Sequence, residues 1–236
     1  MEGNSKYKSL NYWNERYKEE NHYEWFGEYE KFKKVIHQQL KQTDRILTLG
    51  CGNSRMSEEM YLDNFTNIVN TDYSPVLIEA MKLKHKHMDK MGWLVMDINN
   101  LEFDNESFDC VIEKGTLDAL LVDEKDPWNM SEENTRKMDA ILEKVSKILK
   151  DGGVFLSITF AQPHFRKPMY AQGKYNWSIE LFTIGETFHY FVYVMKKGGK
   201  LNENDKYFYL RNKHVSYLEA SRAELEENNP LNIHMD

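Results

Sequence analysis

The stretch RILTLGCGNSRMSEEM, residues 45–60, decides the predicted fold of this 236-residue chain. The apolar run over 45–49 predicts a buried strand, and a helix is predicted over 55–62. Between them, the glycines of Gly50-Cys51-Gly52 allow a sharp turn and a close approach of a ligand to the backbone. The helix start presents unpaired N–H groups that attract an anion. The stretch therefore predicts a strand–turn–helix unit that holds a ligand.

Short apolar runs alternate with helical stretches along the chain, a pattern that predicts parallel strands joined by helices. Further strands of this kind are predicted at 67–71, 93–96, 108–113 and 154–160. Helices are predicted at 30–41, 75–90 and 135–150. Residues 177–184 and 188–196 predict an antiparallel pair joined at Gly185-Glu186. The sequence thus predicts an α/β fold with a mostly parallel sheet and an antiparallel C-terminal strand pair.

Helix ends are marked by residues that suit them. Ser74 before Pro75 is typical of a helix start, and Ser131 with Asn134 predicts a second one. The Asp151-Gly152-Gly153 turn ends the helix that Ser131 begins. The charged tail from about Lys213 predicts a helix followed by a frayed terminus.

Charge and cysteine content narrow the classes of function. The 31 Lys and Arg against 38 Asp and Glu give a net charge of −7, which argues against direct binding to nucleic acid or anionic membranes. Two cysteines cannot form a disulfide framework. Neither the first ten residues nor the longest apolar run, 188–195, predicts a signal peptide or a membrane span. We therefore expect a soluble, cytoplasmic protein.

A carboxylate that ends the second predicted strand indicates the type of ligand. Asp72 lies 20 residues after Gly52, where an acid receives the hydroxyls of a ribose, although capping of the next turn is an alternative. A dinucleotide-binding turn needs a small residue three positions after its second glycine. Arg55 occupies that position here, and its side chain is long and charged. S-adenosylmethionine has no pyrophosphate, and its carboxylate suits the helix start. The sequence favours S-adenosylmethionine over NAD.

The adenine end of this ligand is predicted along the same edge of the sheet. Tyr73 can pack on the sugar or base, Asp97 can accept from the adenine amino group, and Ile98 can pack on the ring. Ordinary core packing is an equal alternative for Met96 and Ile98.

The motifs LGCGNS, TDYS, MDI and FDCVIEKGTLDALL, in this order, resemble those of the seven-stranded Rossmann-like methyltransferases that use S-adenosylmethionine. EKGTLDAL at 113–120 is similar to the signature of the lysine methyltransferases that act on translation elongation factor 1-alpha. YEWFGEYEKF at 23–32, KDPWNM at 125–130, PHFRKPMYAQ at 163–172 and KKGGK at 196–200 add to the resemblance, which covers residues 7–201. The Asn-Pro-Pro-Tyr motif of DNA and glutamine methyltransferases is absent from the sequence.

The resemblance implies a set of cofactor contacts and a segment needed for transfer. The implied contacts are Trp25, Tyr29, Gly50, Asp72, Tyr73, Asp97, Ile98 and Lys114, and the implied segment is 113–118. Trp25 and Tyr29 are four residues apart and would share one face if both were helical. An aromatic face suits a sulfonium cation, while packing of this segment on the sheet is the alternative.

Methyl transfer to lysine needs an oriented, neutral amine in a site without water. Glu113 is the predicted group for binding the incoming ammonium or guiding its proton away, and Asp118 is a second acid nearby. Lys114 could contact the cofactor or depress the pKa of the amine, and a solvated Glu113–Lys114 ion pair is the alternative. A loop over 163–172 carries His164, Phe165, Arg166 and Tyr170, which line the acceptor channel or form a lid.

The sequence as a whole predicts a single methyltransferase domain over 1–236. Its parts are N-terminal cap helices over 1–43, a Rossmann-like core over 44–200 and a charged tail over 201–236. The leading hypothesis is an S-adenosylmethionine-dependent protein-lysine N-methyltransferase with elongation factor 1-alpha as its partner. Another acceptor, a nicotinamide oxidoreductase and a non-catalytic scaffold are the alternatives. The segment His85-Lys86-His87 is expected to be a solvated helix face, and no metal site is expected.

Overall fold

A seven-stranded sheet organises the computed structural model, which describes residues 4–126 and 130–206. Its strands are β1 (Ile46–Leu49), β2 (Ile68–Asp72), β3 (Met91–Val95), β4 (Phe108–Lys114), β5 (Leu149–Thr159), β6 (Trp177–Ile184) and β7 (Tyr190–Lys197). The strand order is β3-β2-β1-β4-β5-β7-β6, in which β7 runs antiparallel to both β5 and β6. The predicted mostly parallel sheet with an antiparallel C-terminal pair is confirmed.

Helices cover both faces of the sheet. They are α1 (Leu10–Glu19), α2 (Tyr29–Gln39), α3 (Met56–Leu62), α4 (Pro75–Lys84), α5 (Thr116–Leu120), α6 (Glu132–Ile148) and α7 (Pro163–Tyr170), with 3-10 helices at Asn4–Lys8 and Gly173–Tyr175. Neighbouring residues of one strand pack into apolar cores on opposite faces of the sheet. Ile46 packs with α2–α4, and Leu47 packs with α6 and α7. Because both faces are buried, the strands are apolar throughout. Among the described residues, no helix combines the length and apolar character needed to cross a membrane.

The strand register brings several chain ends to one edge of the sheet. Leu49 pairs with Thr71 of β2 on one side and with Glu113 of β4 on the other. The chain leaves β1 towards α3 on one face and leaves β4 towards α5 on the other, so the strand order reverses here. Open α/β sheets bind ligands at such a reversal, beyond the carboxyl ends of the strands.

Some predicted elements have different bounds. The helix predicted over 75–90 ends at Lys84, because residues after His85 form turns. Its predicted start is confirmed, since Ser74 Oγ accepts from Leu77 N at 3.2 Å. Strand β5 begins at Leu149, five residues early, since the Gly152-Gly153 turn lies within an irregular extended segment.

Two other expectations need correction. The loop predicted over 163–172 is mostly helix α7, which Pro163 begins. His85 is not on a solvated face: it is buried, and its ring stacks on Trp93 with centroids 5.2 Å apart. The helix predicted from Lys213 lies outside the described residues.

Candidate functional site

The described residues enclose a cavity of about 1460 Å³ at the reversal point of the sheet. Many of the residues predicted for the site line it: Trp25, Gly50, Gly52, Asp72, Tyr73, Asp97, Ile98, Lys114 and Asp118. The cavity wall does not include Tyr29 or Glu113. The fold therefore brings together side chains from the N-terminal segment and the ends of four strands.

The glycine turn after β1 has a left-handed backbone that favours glycine. Gly50 and Gly52 have φ values of +58° and +54°. A Cβ atom on Gly50 would lie 2.4 Å from Oγ1 of Thr116. That hydroxyl donates to the carbonyl of Leu49 at 3.0 Å. The turn is therefore packed directly against the start of α5.

Asp72 ends β2 with its carboxylate held by backbone groups. Oδ2 accepts from Gly52 N at 3.1 Å, and Oδ1 accepts from Ser74 N at 3.0 Å. Burial raises the pKa of Asp72 from 3.8 to about 6, against the effect of these hydrogen bonds. The capping that the alternative predicted is present, because one carboxylate holds both the glycine turn and the turn into α4.

Two aromatic residues that were not predicted for the site complete this part of the cavity. Trp13 and Tyr17 lie four residues apart on α1, and their rings stack with centroids 5.4 Å apart. The hydroxyl oxygen of Tyr17 lies 3.4 Å from where a Cβ atom of Gly52 would be. Ser74 Oγ donates to Asn14 Oδ1 at 2.6 Å and ties α1 to the start of α4. The NYWNERY stretch at 11–17 carries the signal, since its aromatics have helical spacing.

The prediction that Trp25 and Tyr29 share a helix face is wrong. Trp25 lies in an irregular segment before α2, and Tyr29 is the first residue of that helix. Trp25 contacts the Tyr7 and Tyr23 rings at the cavity, with centroids 5.5 and 4.9 Å away. Tyr29 is buried elsewhere and donates to Asp63 Oδ2 at 2.7 Å. The spacing argument fails because Gly27 and Phe26, both with positive φ, interrupt any helix between the two residues.

Asp97 and Ile98 follow β3, the strand beside the one that Asp72 ends. The Asp97 side chain is exposed, and its Oδ1 accepts from both the backbone and side-chain nitrogens of Asn99 at 2.8 and 2.7 Å. Ile98 is buried and belongs to the core cluster with α6. Ile98 therefore serves both the core and the cavity wall.

Lys114 forms a buried ion pair with Glu24 of the N-terminal segment. Its Nζ donates to Glu24 Oε2 at 2.7 Å and to the carbonyl of Trp25 at 2.7 Å. The same carboxylate accepts from Ser54 Oγ and from Arg55 N at the start of α3. Burial lowers the pKa of Lys114, and Glu24 opposes that effect. Glu24 thus joins the N-terminal segment to two strand ends.

Glu113 is not open to the cavity, contrary to the prediction that it meets an incoming ammonium. It is fully buried, and its Oε2 accepts from Thr116 N at 3.0 Å and Leu117 N at 3.1 Å. Its other oxygen accepts from the hydroxyl of Ser157. Burial raises the pKa of Glu113, and the charge of Asp118 adds to this. The alternative of a solvated Glu113–Lys114 pair is also wrong, because neighbouring strand residues point to opposite faces.

Asp118 is the acid of this segment that lines the cavity. It lies in α5, and its Oδ1 accepts from Arg166 Nη2 at 2.8 Å and from Thr159 Oγ1 at 2.7 Å. Arg166 is buried on α7 and also lines the cavity. The fold therefore places an ion pair, not Glu113, on the cavity wall after β4.

Comparison with known proteins gives one consistent family. A family described as "Methyltransferase domain" matches residues 40–209. EEF1A lysine methyltransferase 4 of Mus musculus is 45% identical over 204 residues, which cover 85% of this chain and 80% of that protein. The Bos taurus protein of the same name is 43% identical with the same coverage. The eEF1A lysine and N-terminal methyltransferase of Mus musculus is 37% identical over 162 residues, but these cover only 22% of it.

Solved structures show the same fold at low sequence identity. A SAM-dependent methyltransferase of Methanosarcina mazei aligns with a TM-score of 0.51 at 17% identity, over 70% of this chain and 98% of that one. The PH0226 protein of Pyrococcus horikoshii aligns with a TM-score of 0.55 at 16% identity, over 71% and 88% of the two chains. The sequence resemblance is thereby confirmed: this chain belongs to the methyltransferase-domain family, together with the proteins named EEF1A lysine methyltransferase 4.

Proposed function

We propose that this protein transfers a methyl group from S-adenosylmethionine to a lysine of translation elongation factor 1-alpha. The observation that carries the proposal is the 45% identity to a protein named for that activity, over 85% of this chain. The cavity supports it independently, because a glycine turn, a buried carboxylate and an aromatic wall meet there.

The residues present fit S-adenosylmethionine. The Asp72 carboxylate can accept ribose hydroxyls, and any added hydrogen bond would offset its cost of burial. The stacked rings of Trp13 and Tyr17 offer the electron-rich faces that attract a sulfonium cation. When bound, the cofactor supplies a methyl group that is activated by the positive charge on sulfur.

The other residues predicted to contact the cofactor have separate roles in this proposal. Gly50 and Gly52 let the backbone approach the ligand, while Tyr73, Asp97 and Ile98 surround its base. Lys114, held by Glu24, fixes the N-terminal segment over the cavity, where Trp25 helps to exclude water. These residues bind and orient the cofactor.

At the acceptor end, we assign different roles to the two acids. Glu113 holds the backbone of α5 through its Thr116 and Leu117 hydrogen bonds, so it is a positioning residue. Asp118 reaches the cavity wall and is the acid that an acceptor amine can approach. This division explains why the resemblance implies that the whole 113–118 segment is needed.

A cytoplasmic site of action follows from the proposed partner and agrees with two free, buried cysteines, Cys51 and Cys110. The net charge of −7 argues against direct contact with nucleic acid or anionic membranes.

The test is incubation of the protein with isotope-labelled S-adenosylmethionine and purified elongation factor 1-alpha, followed by mass spectrometry. We expect a mass gain of one or more methyl groups on a single lysine peptide. Reactions without the protein, or with Asp72→Ala, serve as controls and should show little or no gain.

Two outcomes would overturn the proposal. Binding of S-adenosylhomocysteine without any transfer would support a non-catalytic scaffold. Binding of NADH in preference to S-adenosylhomocysteine would support an oxidoreductase.

A further inference from the structure

The buried ion pair on the cavity wall leaves hydrogen-bonding capacity unused. Within the described part of the chain, Oδ2 of Asp118 and Nε of Arg166 have no hydrogen-bond partner, although both atoms are buried. The Asp118 side chain is only 9% exposed and the Arg166 side chain only 3%. A buried carboxylate oxygen without a partner is costly, and native proteins rarely keep one without a reason.

The position of Asp118 indicates what this oxygen is for. Both residues of the pair line the cavity, so a small rotation of the Asp118 side chain would present its buried Oδ2 to a bound group. Oδ1 is already occupied by the hydroxyl of Thr159 and by Arg166. The free capacity of the carboxylate is therefore on Oδ2, which requires a donor.

The surrounding charges are compatible with a cationic donor. Glu113 lies close enough for Asp118 and Arg166 each to change its pKa, so two carboxylates share one guanidinium. The other titratable groups that affect Arg166 are Tyr170 and Tyr193, which carry no charge at neutral pH. One more positive charge would balance the cluster when Glu113 is ionised. A lysine ammonium supplies that charge and three N–H donors.

We propose that Asp118 and Arg166 form the subsite that receives the acceptor lysine as its ammonium, which then loses one proton to solvent so that the neutral amine can attack the methyl group. Oδ2 of Asp118 accepts an N–H of the incoming lysine, and Arg166 is a positioning residue that acts through Asp118. Thr159 shares this second role, because its hydroxyl holds the same Oδ1. The inference rests on the proposed function and identifies which side chains recognise its substrate.

The experiment compares four full-length variants with the wild type: Asp118→Asn, Arg166→Met, Arg166→Lys and the control Arg136→Met. Arg136 forms an exposed ion pair with Glu132 on α6, so its loss removes a guanidinium without touching the cavity. Steady-state transfer to elongation factor 1-alpha gives kcat and KM for the acceptor, and calorimetry gives the Kd of S-adenosylhomocysteine.

We expect Asp118→Asn to lower kcat/KM for the acceptor by about 100-fold while the Kd of S-adenosylhomocysteine changes by less than about threefold. Arg166→Met should have a similar effect, and Arg166→Lys should recover about tenfold of the loss, because it returns a cation to Asp118. Arg136→Met should match the wild type. If Arg166 only filled space, Arg166→Lys would not recover kcat/KM relative to Arg166→Met.

Three results would overturn the inference. If Asp118→Asn or Arg166→Met has normal acceptor kinetics while the wild type is active, the proposed subsite is wrong and the proposed function still stands. If Arg166→Met and Arg166→Lys lose the same amount of kcat/KM for the acceptor and both have a lowered Tm, Arg166 only stabilises the fold and does not position Asp118. If the wild type binds S-adenosylhomocysteine but transfers nothing, the proposed function falls and the subsite with it.

Should Asp118→Asn fail to fold, Asp118→Glu keeps the charge and displaces the carboxylate by one methylene group. The proposal expects the acceptor KM of Asp118→Glu to rise by about tenfold or more. An unchanged KM in that variant would overturn it.

Discussion

At the scale of single residues, Asp72 shows how a binding site is maintained at a cost to stability. Its carboxylate is buried, and burial raises its pKa to about 6 although two backbone N–H groups hold it. The charged form that suits a ribose is therefore the less stable form of the folded protein below pH 6. Such a conflict between stability and binding is typical of functional sites.

This conflict gives Asp72→Asn a pH-dependent effect on stability. Because the folded pKa lies above the ordinary value of 3.8, the folded state retains a proton that the unfolded chain has lost. The contribution of Asp72 to stability is therefore present below about pH 4 and is lost as pH rises through 6. The loss amounts to about 3 kcal/mol. We expect the free energy of unfolding of Asp72→Asn, relative to that of the wild type, to increase by up to this amount between pH 4 and pH 7.

Chemical denaturation at several pH values measures this difference. Asp72→Asn should also weaken S-adenosylhomocysteine binding by about tenfold or more at pH 7.5, through loss of a charged acceptor. A stability difference that does not change with pH would show that Asp72 titrates normally.

Tyr17 gives a second residue-scale prediction. Its ring stacks on Trp13 in the cavity, and burial raises the pKa of its hydroxyl, which therefore stays neutral. We expect Tyr17→Ala to raise the Kd of S-adenosylhomocysteine by about tenfold, because a stacking surface is lost. Tyr17→Phe keeps the ring and should bind within about threefold of the wild type. Calorimetry measures both, and a larger loss in Tyr17→Phe than in Tyr17→Ala would contradict the role of the ring.

At the scale of secondary-structure elements, the glycine turn and α5 are packed as one unit. Gly50 leaves room for Thr116, and Glu113 accepts from the first N–H groups of α5. Gly115 in turn leaves room for Phe26, whose ring would be 2.9 Å from a Cβ atom there. The β1–α3 turn, the β4–α5 turn and the N-terminal segment therefore fix one another.

Substitution of Gly50 tests this packing against backbone strain alone. Gly50→Ala adds both a left-handed alanine and a contact of 2.4 Å with Thr116 Oγ1. Gly152→Ala is the matched control, since Gly152 has a φ of +75° and no atom within 4 Å of an added Cβ. We expect Gly152→Ala to cost about 1–2 kcal/mol of unfolding free energy and Gly50→Ala about 1–3 kcal/mol more.

The double variant Gly50→Ala/Thr116→Ala isolates the contact. It should be more stable than the sum of the two single changes predicts, by about 1 kcal/mol or more. Strict additivity in urea denaturation would show that the turn relaxes away from α5.

At the scale of the whole molecule, the N-terminal segment closes the cavity across the sheet. Lys8 pairs with Asp123 beyond α5, Glu24 pairs with Lys114 of β4, and Asn53 donates from its side chain to the carbonyl of Glu20. These contacts join residues that are far apart in sequence. They make the closure of the cavity a property of the tertiary structure.

We expect loss of either partner of the Glu24–Lys114 pair to loosen this segment. Lys114→Met leaves the buried Glu24 carboxylate without its cation, which should cost about 3 kcal/mol and raise hydrogen exchange over 20–28. The double variant Glu24→Gln/Lys114→Met removes both charges and should recover part of the stability. Hydrogen-exchange mass spectrometry measures the local effect, with Lys147→Met, which breaks an exposed pair with Glu143, as control. Unchanged exchange at 20–28 in Lys114→Met would show that the pair does not hold the segment.

Local sequence patterns are enough to predict the sheet, its parallel core and its antiparallel end. Strand patterns, helix caps such as Ser74 and the Gly50-Cys51-Gly52 turn act over a few neighbouring residues, so they can be interpreted locally. The same holds for Asp72, whose place at the end of β2 follows from the order of elements.

Contacts between distant parts of the chain determine which acid faces the cavity and which aromatics cover it. Glu113 and Asp118 are five residues apart and chemically alike, and the choice between them depends on contacts with Ser157 and Arg166 from distant elements. Trp13 and Tyr17 join Trp25 on the cavity wall because α1 is tied to the start of α4, while Tyr29 is not part of that wall. Burial and long-range pairing set these roles, and neither follows from the local spacing of residues.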